Sequence, residues 1–206
     1  NSAHRTKNLR HVQVLTAVSL TIVFTQWRYI AMKITHCPLP ANSADNESSL
    51  NKSTLAVELD GLSELKNVNG DVIIAASDAL QSLAGLNELI NVGGNFQIGW
   101  YRNNTGDANH ALVDAEFQQL KTVGGDLRFS SNALIPNIIG FNNLESVGGL
   151  IQISGSPEAQ NISGFNKLTT IGSSISISGL KKLKTISGFQ QLQHIPTYFS
   201  ICTGEE

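Results

Sequence analysis

Apolar side chains recur with a period of 24 residues from Leu59 onward. The repeated phrase is Leu/Ile-x-Gly-Leu/Phe-x-x-Leu-x-x-Val/Ile-x-Gly-x-apolar-x-Ile/Phe. Its central leucine falls at Leu65, Leu89, Leu120, Leu144, Leu168 and Leu192, and every interval is 24 residues except one of 31. Four further columns are apolar in all six copies: Leu62, Leu86, Phe117, Phe141, Phe165, Phe189; Val68, Val92, Val123, Val147, Ile171, Ile195; Val72, Phe96, Leu127, Ile151, Ile175, Phe199; and Ile74, Ile98, Phe129, Ile153, Ile177, Ile201. Another, Leu59, Leu83, Ile138, Ile162 and Ile186, is broken only by Asp114. A position that is apolar in every copy must face inward in every copy, and units of this length stack as a solenoid, each burying its apolar face on its neighbours. The last two full columns lie two residues apart and are branched or aromatic, which is the period and composition of a strand. Three apolar clusters per copy predict an all-β, three-sided parallel stack of about six coils, leucine-rich-repeat-like, with rungs about 4.8 Å apart.

Glycine marks the corners between clusters. One column holds Gly61, Gly85, Gly140, Gly164 and Gly188; another holds Gly70, Gly94, Gly125 and Gly149, preceded by a second glycine at Gly93, Gly124 and Gly148. Such pairs supply the positive φ or the close backbone approach of a tight corner. The column gives way to Ser173 and Thr197, so the last corners are predicted to differ in shape.

The phrases FNNLESVGGLIQIS, FQQLKTVGGDLRFS and FNKLTTIGSSISIS resemble the receptor L domain, the leucine-rich right-handed β-helix of insulin and epidermal growth factor receptor ectodomains, also similar to repeats of fungal wall proteins. The resemblance covers residues 59–206 and implies a right-handed parallel β-helix that binds ligand with its exposed sheet face. The asparagine ladder that follows the strand in ordinary leucine-rich repeats is not visible; Ser130, Ser154 and Ser178 stand there instead.

Before the repeat, Arg5, Lys7 and Arg10 precede the apolar run Val12 to Trp27, after which Arg28 and Lys33 restore polarity. A charged stretch followed by an apolar one assigns residues 1–36 to a signal peptide or signal anchor, and the excess of positive charge before the run places the solenoid outside the cell. Residues 37–58 are a polar linker leading into an N-terminal cap. Nothing after Tyr198 to Ile201 looks like a cap, so either the chain continues or a partner covers that edge.

Charged residues make up 15% of the chain and the net charge is -2, which offers no basic field for a nucleic acid. Cys37 and Cys202 lie at opposite ends of the solenoid, too far apart to pair. His4, His11, His36, His110 and His194 form no close-spaced ligand set, so neither metal nor cofactor is expected.

Two regions are candidates for binding. The 31-residue interval inserts WYRNNTGDANH after Ile98, with Trp100, Tyr101 and Arg102 at its base; insertions in solenoids map to loops on one face, and these residue types anchor interfaces. The plainer alternative is that Trp100 folds back over the gap left by Asp114 and Glu116. The second region is the outward column between the two strand columns: Ile73, Gln97, Arg128, Gln152, Ser176 and Ser200. A polar outer face is also the default of any soluble sheet. Sequons at Asn46, Asn51, Asn103 and Asn161 are glycosylation candidates, two of them in the linker and one in the insertion. Asp71 and Asp126 share a column two rungs apart, about 10 Å by strand spacing, slightly beyond the reach of an inverting carboxylate pair. Both follow a corner glycine, where Asp caps turns. The expectation is therefore a non-catalytic, cell-surface or secreted domain that recognises a protein or glycan. The alternatives are a structural wall or matrix spacer and, below both, a polysaccharide-active enzyme.

Overall fold

The computed structural model describes residues 20–24, 31–34, 59, 62–75, 80–99 and 109–202. They form a right-handed parallel β-helix with three sheets. The main sheet carries β4 (Val72–Ile74), β6 (Phe96–Ile98), β8 (Leu127–Ser130), β11 (Ile151–Ser154), β14 (Ile175–Ser178) and β16 (Phe199–Cys202), each parallel to the next. The second sheet stacks β3 (Asn67–Val68), β5 (Asn91–Val92), β7 (Thr122–Val123), β10 (Ser146–Val147) and β13 (Thr170–Ile171). The third stacks β9 (Asn137–Ile138), β12 (Asn161–Ile162) and β15 (Thr185–Ile186).

Register follows the repeat: Ile151 pairs with Leu127 and Ile175, and Ile153 with Phe129 and Ile177. These inward positions are at most 1% exposed, and burying each such side chain contributes about 1.5–3 kcal/mol. In one column Phe117, Phe141, Phe165 and Phe189 stack face to face with centroids 5.4, 5.2 and 4.7 Å apart, and Phe96 meets Phe117 edge-on at 4.8 Å. Such ring pairs add about 0.5–1.5 kcal/mol beyond area. The phrase misses a further buried column, Leu80, Leu112, Ile135 and Ala159, because it lies in the variable turn after the main strand.

Four details differ from the sequence reading or sharpen it. The second sheet has five rungs, not six, because Pro196 falls where Gly172 donates its N–H to Val147 O at 2.9 Å, and proline has no N–H to donate. At the broken column the register slips by one: exposed Asp114 bridges Ser82 and accepts its hydroxyl at 3.1 Å, while Ala115, 8% exposed, fills the core. A short asparagine ladder does exist. Buried Asn109 donates to Asn132 Oδ1 and Ile74 O, both at 3.1 Å, and buried Asn132 donates to Ile98 O at 3.2 Å. It escapes a motif search because one member sits at the end of the insertion and the next coils carry Ser156 and Leu180.

The paired corner glycines are explained by close approach; none of Gly93, Gly94, Gly124, Gly125, Gly148 and Gly149 has positive φ. A Cβ at Gly94 or Gly149 would overlap Oδ1 of Asp71 or Asp126, and one at Gly125 would overlap Oδ1 of Asn95. Those oxygens cap the next coil, accepting the N–H groups of Asn95 at 2.6 Å, Asp126 at 2.8 Å and Leu150 at 2.9 Å. Where Leu150 and Ser174 replace the acceptor residues, Ser173 and Thr197 replace glycine in the coil above.

Of the N-terminal apolar run, only β1 (Leu20–Phe24) is described; its backbone lies parallel to β4, with Ile22 opposite Val72 and Phe24 opposite Ile74. β2 (Ala31–Ile34) returns antiparallel on β1 and is the edge of the main sheet. Among the described residues no helix is long and apolar enough to cross a membrane. The linker of residues 37–58 lies outside the described residues.

Candidate ligand-binding face

The main sheet brings the outward column together as one straight row. Ile73 pairs with Gln97, Gln97 with Arg128, Arg128 with Gln152, Gln152 with Ser176, and Ser176 with Ser200. All are half-buried except Ser200, which is exposed at the last rung. Alternation does this: the residues on either side of each member are core residues, so the pleat turns the member outward.

Arg128 is the centre of the row. Its guanidinium donates to Gln152 Oε1 at 3.0 Å on the next rung and to Asp126 Oδ2 at 2.7 Å two residues back. Asp126 is itself fixed, because its other oxygen caps Leu150. The cation is thus held against the sheet by groups that the corner and the rung position, and a planar fork held this way suits carboxylate or polar carbonyl recognition. Gln97 turns its amide onto Gly99 O at 3.1 Å. The hydroxyls of Ser176 and Ser200 have no protein partner among the described residues.

Trp100, Tyr101 and Arg102 lie outside the described residues, as do Asn46, Asn51 and Asn103. The base of the insertion is described, and both of its ends bind one oxygen: Gly99 N–H donates to Ile74 O at 2.6 Å, and Asn109 Nδ2 donates to the same oxygen at 3.1 Å. The insertion therefore leaves and re-enters the solenoid at a single closed point beside the outward row.

Asn161 belongs to a surface ladder in the third sheet. Its Nδ2 donates to Asn137 Oδ1 and its Oδ1 accepts the Thr185 hydroxyl, both at 2.6 Å. Asp71 and Asp126 act as the corner caps already described. Cys202 is free and exposed; Cys37 lies outside the described residues. Among the described residues no group of His, Cys, Asp or Glu could hold a metal ion.

Reading the sequence also missed a shallow trough of about 610 Å³ along the second sheet. Its wall is the row Asn67, Asn91, Thr122, Ser146 and Thr170, and its floor is the bare backbone of Gly93, Gly124, Gly148 and Gly172. The glycine pairs were the available signal: a Cβ on each first glycine would run into the backbone carbonyl of the coil below, so no side chain can cover this strip.

Compared with family models, with curated proteins and with solved structures, the chain matches none.

Proposed function

We propose that this chain is a non-catalytic recognition module of the receptor L-domain type, displayed at a cell surface or secreted, that binds a protein or glycan through the outward face of its main sheet. One observation carries the reading: Arg128 is held in place by Asp126 and Gln152 in the middle of an in-register polar row. A preorganised donor set loses less side-chain freedom on binding than a free one. The flanking glutamines and serines supply neutral donors and acceptors of the kind a hydroxyl- or amide-rich ligand needs.

The test is to screen the secreted chain against immobilised glycans and cell-surface extracts, then compare Arg128→Ala and Gln152→Ala with the parent. Loss of binding by tenfold or more with an unchanged unfolding midpoint supports recognition. Binding that survives both substitutions removes this face from consideration and leaves the matrix-spacer reading, which the unbroken ladder from β4 to β16 favours.

A further inference from the structure

We propose that the apolar run before the repeat is itself a degenerate copy of the repeat, stacked beneath the first coil as the bottom of the solenoid. β1 lies parallel to β4, with Ile22 opposite Val72 and Phe24 opposite Ile74. That pairing sets an offset of 50 residues and leaves no freedom in aligning the rest. At this offset every apolar column of the phrase is met: Leu9, Val12, Leu15, Val18, Ile22 and Phe24 fall in the columns that Leu59 to Ile74 occupy in the first copy. Residues 9–19 lie outside the described residues, so their place follows from the sequence columns, and that of β1 from its pairing.

The departures from the phrase are those a bottom coil allows. Glycine is needed at Gly85, Gly93 and Gly94 because a Cβ there would meet the coil below, at Leu59, Asn69 and Asp71. A lowest copy has no coil beneath it, and His11 and Leu20 stand in its two glycine columns. The next copy up keeps Gly61 and Gly70, as backbone passing beneath them requires. β2 then closes the end. It runs antiparallel on β1, so it does not begin another coil, and it is a four-residue strand that includes Lys33, features that blunt a sheet edge. The domain on this reading starts at Leu9 instead of Leu59, and cleavage after residue 36 would remove its lowest coil.

The experiment is amide hydrogen exchange on the intact chain, resolved to single residues. Alternate residues of a parallel strand bond to opposite neighbours. Val72 N–H donates to Asn95 O of the coil above at 2.8 Å, which turns the N–H of Ile73 towards β1. Protection of Ile73 is expected in the parent, and free exchange there overturns the proposal. Two neighbouring substitutions then separate a coil from a run that matters only for its hydrophobicity. Val18 falls in the column of Val68, which is 2% exposed, and Ala17 in that of exposed Asn67. Val18→Asp should speed exchange at Ile73 at least tenfold and lower the unfolding midpoint, while Ala17→Asp leaves both unchanged. The amide of Arg128, two rungs above β4, reports in each case on the rest of the solenoid. Equal effects of the two aspartates, or no effect from either, overturn the proposal. No ligand enters the test, so its result is independent of the recognition reading.

Discussion

Gly149→Ala tests the coupling between corner glycines and capping oxygens. Gly149 does not have positive φ, so alanine is acceptable to the backbone itself and would by chain entropy alone stabilise by about 0.4–1 kcal/mol. The obstacle is Asp126, whose Oδ1 occupies the place of the new Cβ. If the carboxylate swings away, Leu150 N–H loses its 2.9 Å acceptor and Arg128 its 2.7 Å partner. A hydrogen bond to a charged group contributes about 1.5–3 kcal/mol, and a partly exposed ion pair adds about 0.2–1. Set against the entropic gain, the net expectation is a loss of about 1–3 kcal/mol.

Asp126→Ala loses the same bonds by itself. In that background the glycine no longer lies over a carboxylate oxygen, and of the three atoms nearest the added Cβ two are gone, leaving Gly125 C at 3.1 Å. Adding Gly149→Ala should then cost little, giving a coupling of about 1–2 kcal/mol in a double-mutant cycle measured by urea unfolding. Ser173→Gly is the control, because Leu150 stands beneath it and no oxygen has to be accommodated; it should cost no more than about 1 kcal/mol. Additivity of the two substitutions within about 0.5 kcal/mol, or a Gly149→Ala protein as stable as its parent, would refute the mechanism.

Phe141→Ala removes a ring stacked on both sides and should lower unfolding stability by about 3–5 kcal/mol; a loss below 1 would mean the column closes over the gap. Asn132→Ala removes the buried amide that donates to Ile98 O and Ser130 O and should cost about 1–3 kcal/mol, measurable by the same unfolding curve. In a eukaryotic secretory host, Asn161 should be the least occupied of the four sequons, because both its amide atoms serve the ladder. Glycopeptide mapping decides this, and full occupancy with an unshifted unfolding midpoint would show that the ladder is dispensable.

The rungs were legible because each is specified by residues that repeat at a fixed interval and cannot be replaced by polar ones. Leu144, Val147, Ile151 and Ile153 need only their own spacing to be assigned a direction. What stayed hidden depends on relations between coils that no single phrase states. Asn109 and Asn132 lie 23 residues apart instead of 24, since the insertion displaces one of them, and their pairing appears only once the coils are stacked. The register slip at Asp114 is of the same origin: Ala115 is too small to declare itself as core, yet it is what faces inward. The outward row was readable from alternation alone, but nothing in the alternation shows that Arg128 is clamped, because its partners come from a corner and from the next rung.

The clamp also separates two roles that the Asp column combines. A corner asks only for an oxygen over the next backbone N–H, and the amide of Asn95 provides one as Asp71 and Asp126 do. The negative charge at Asp126 is therefore not required by the corner it caps. Its second oxygen, which the corner leaves unused, is the one that meets Arg128. Charge at this position belongs to the sheet face, while the oxygen and the glycine above it belong to the fold. The face and the fold meet in a single carboxylate at the middle rung, which is why the recognition reading centres on Arg128 instead of the serines at the end of the row.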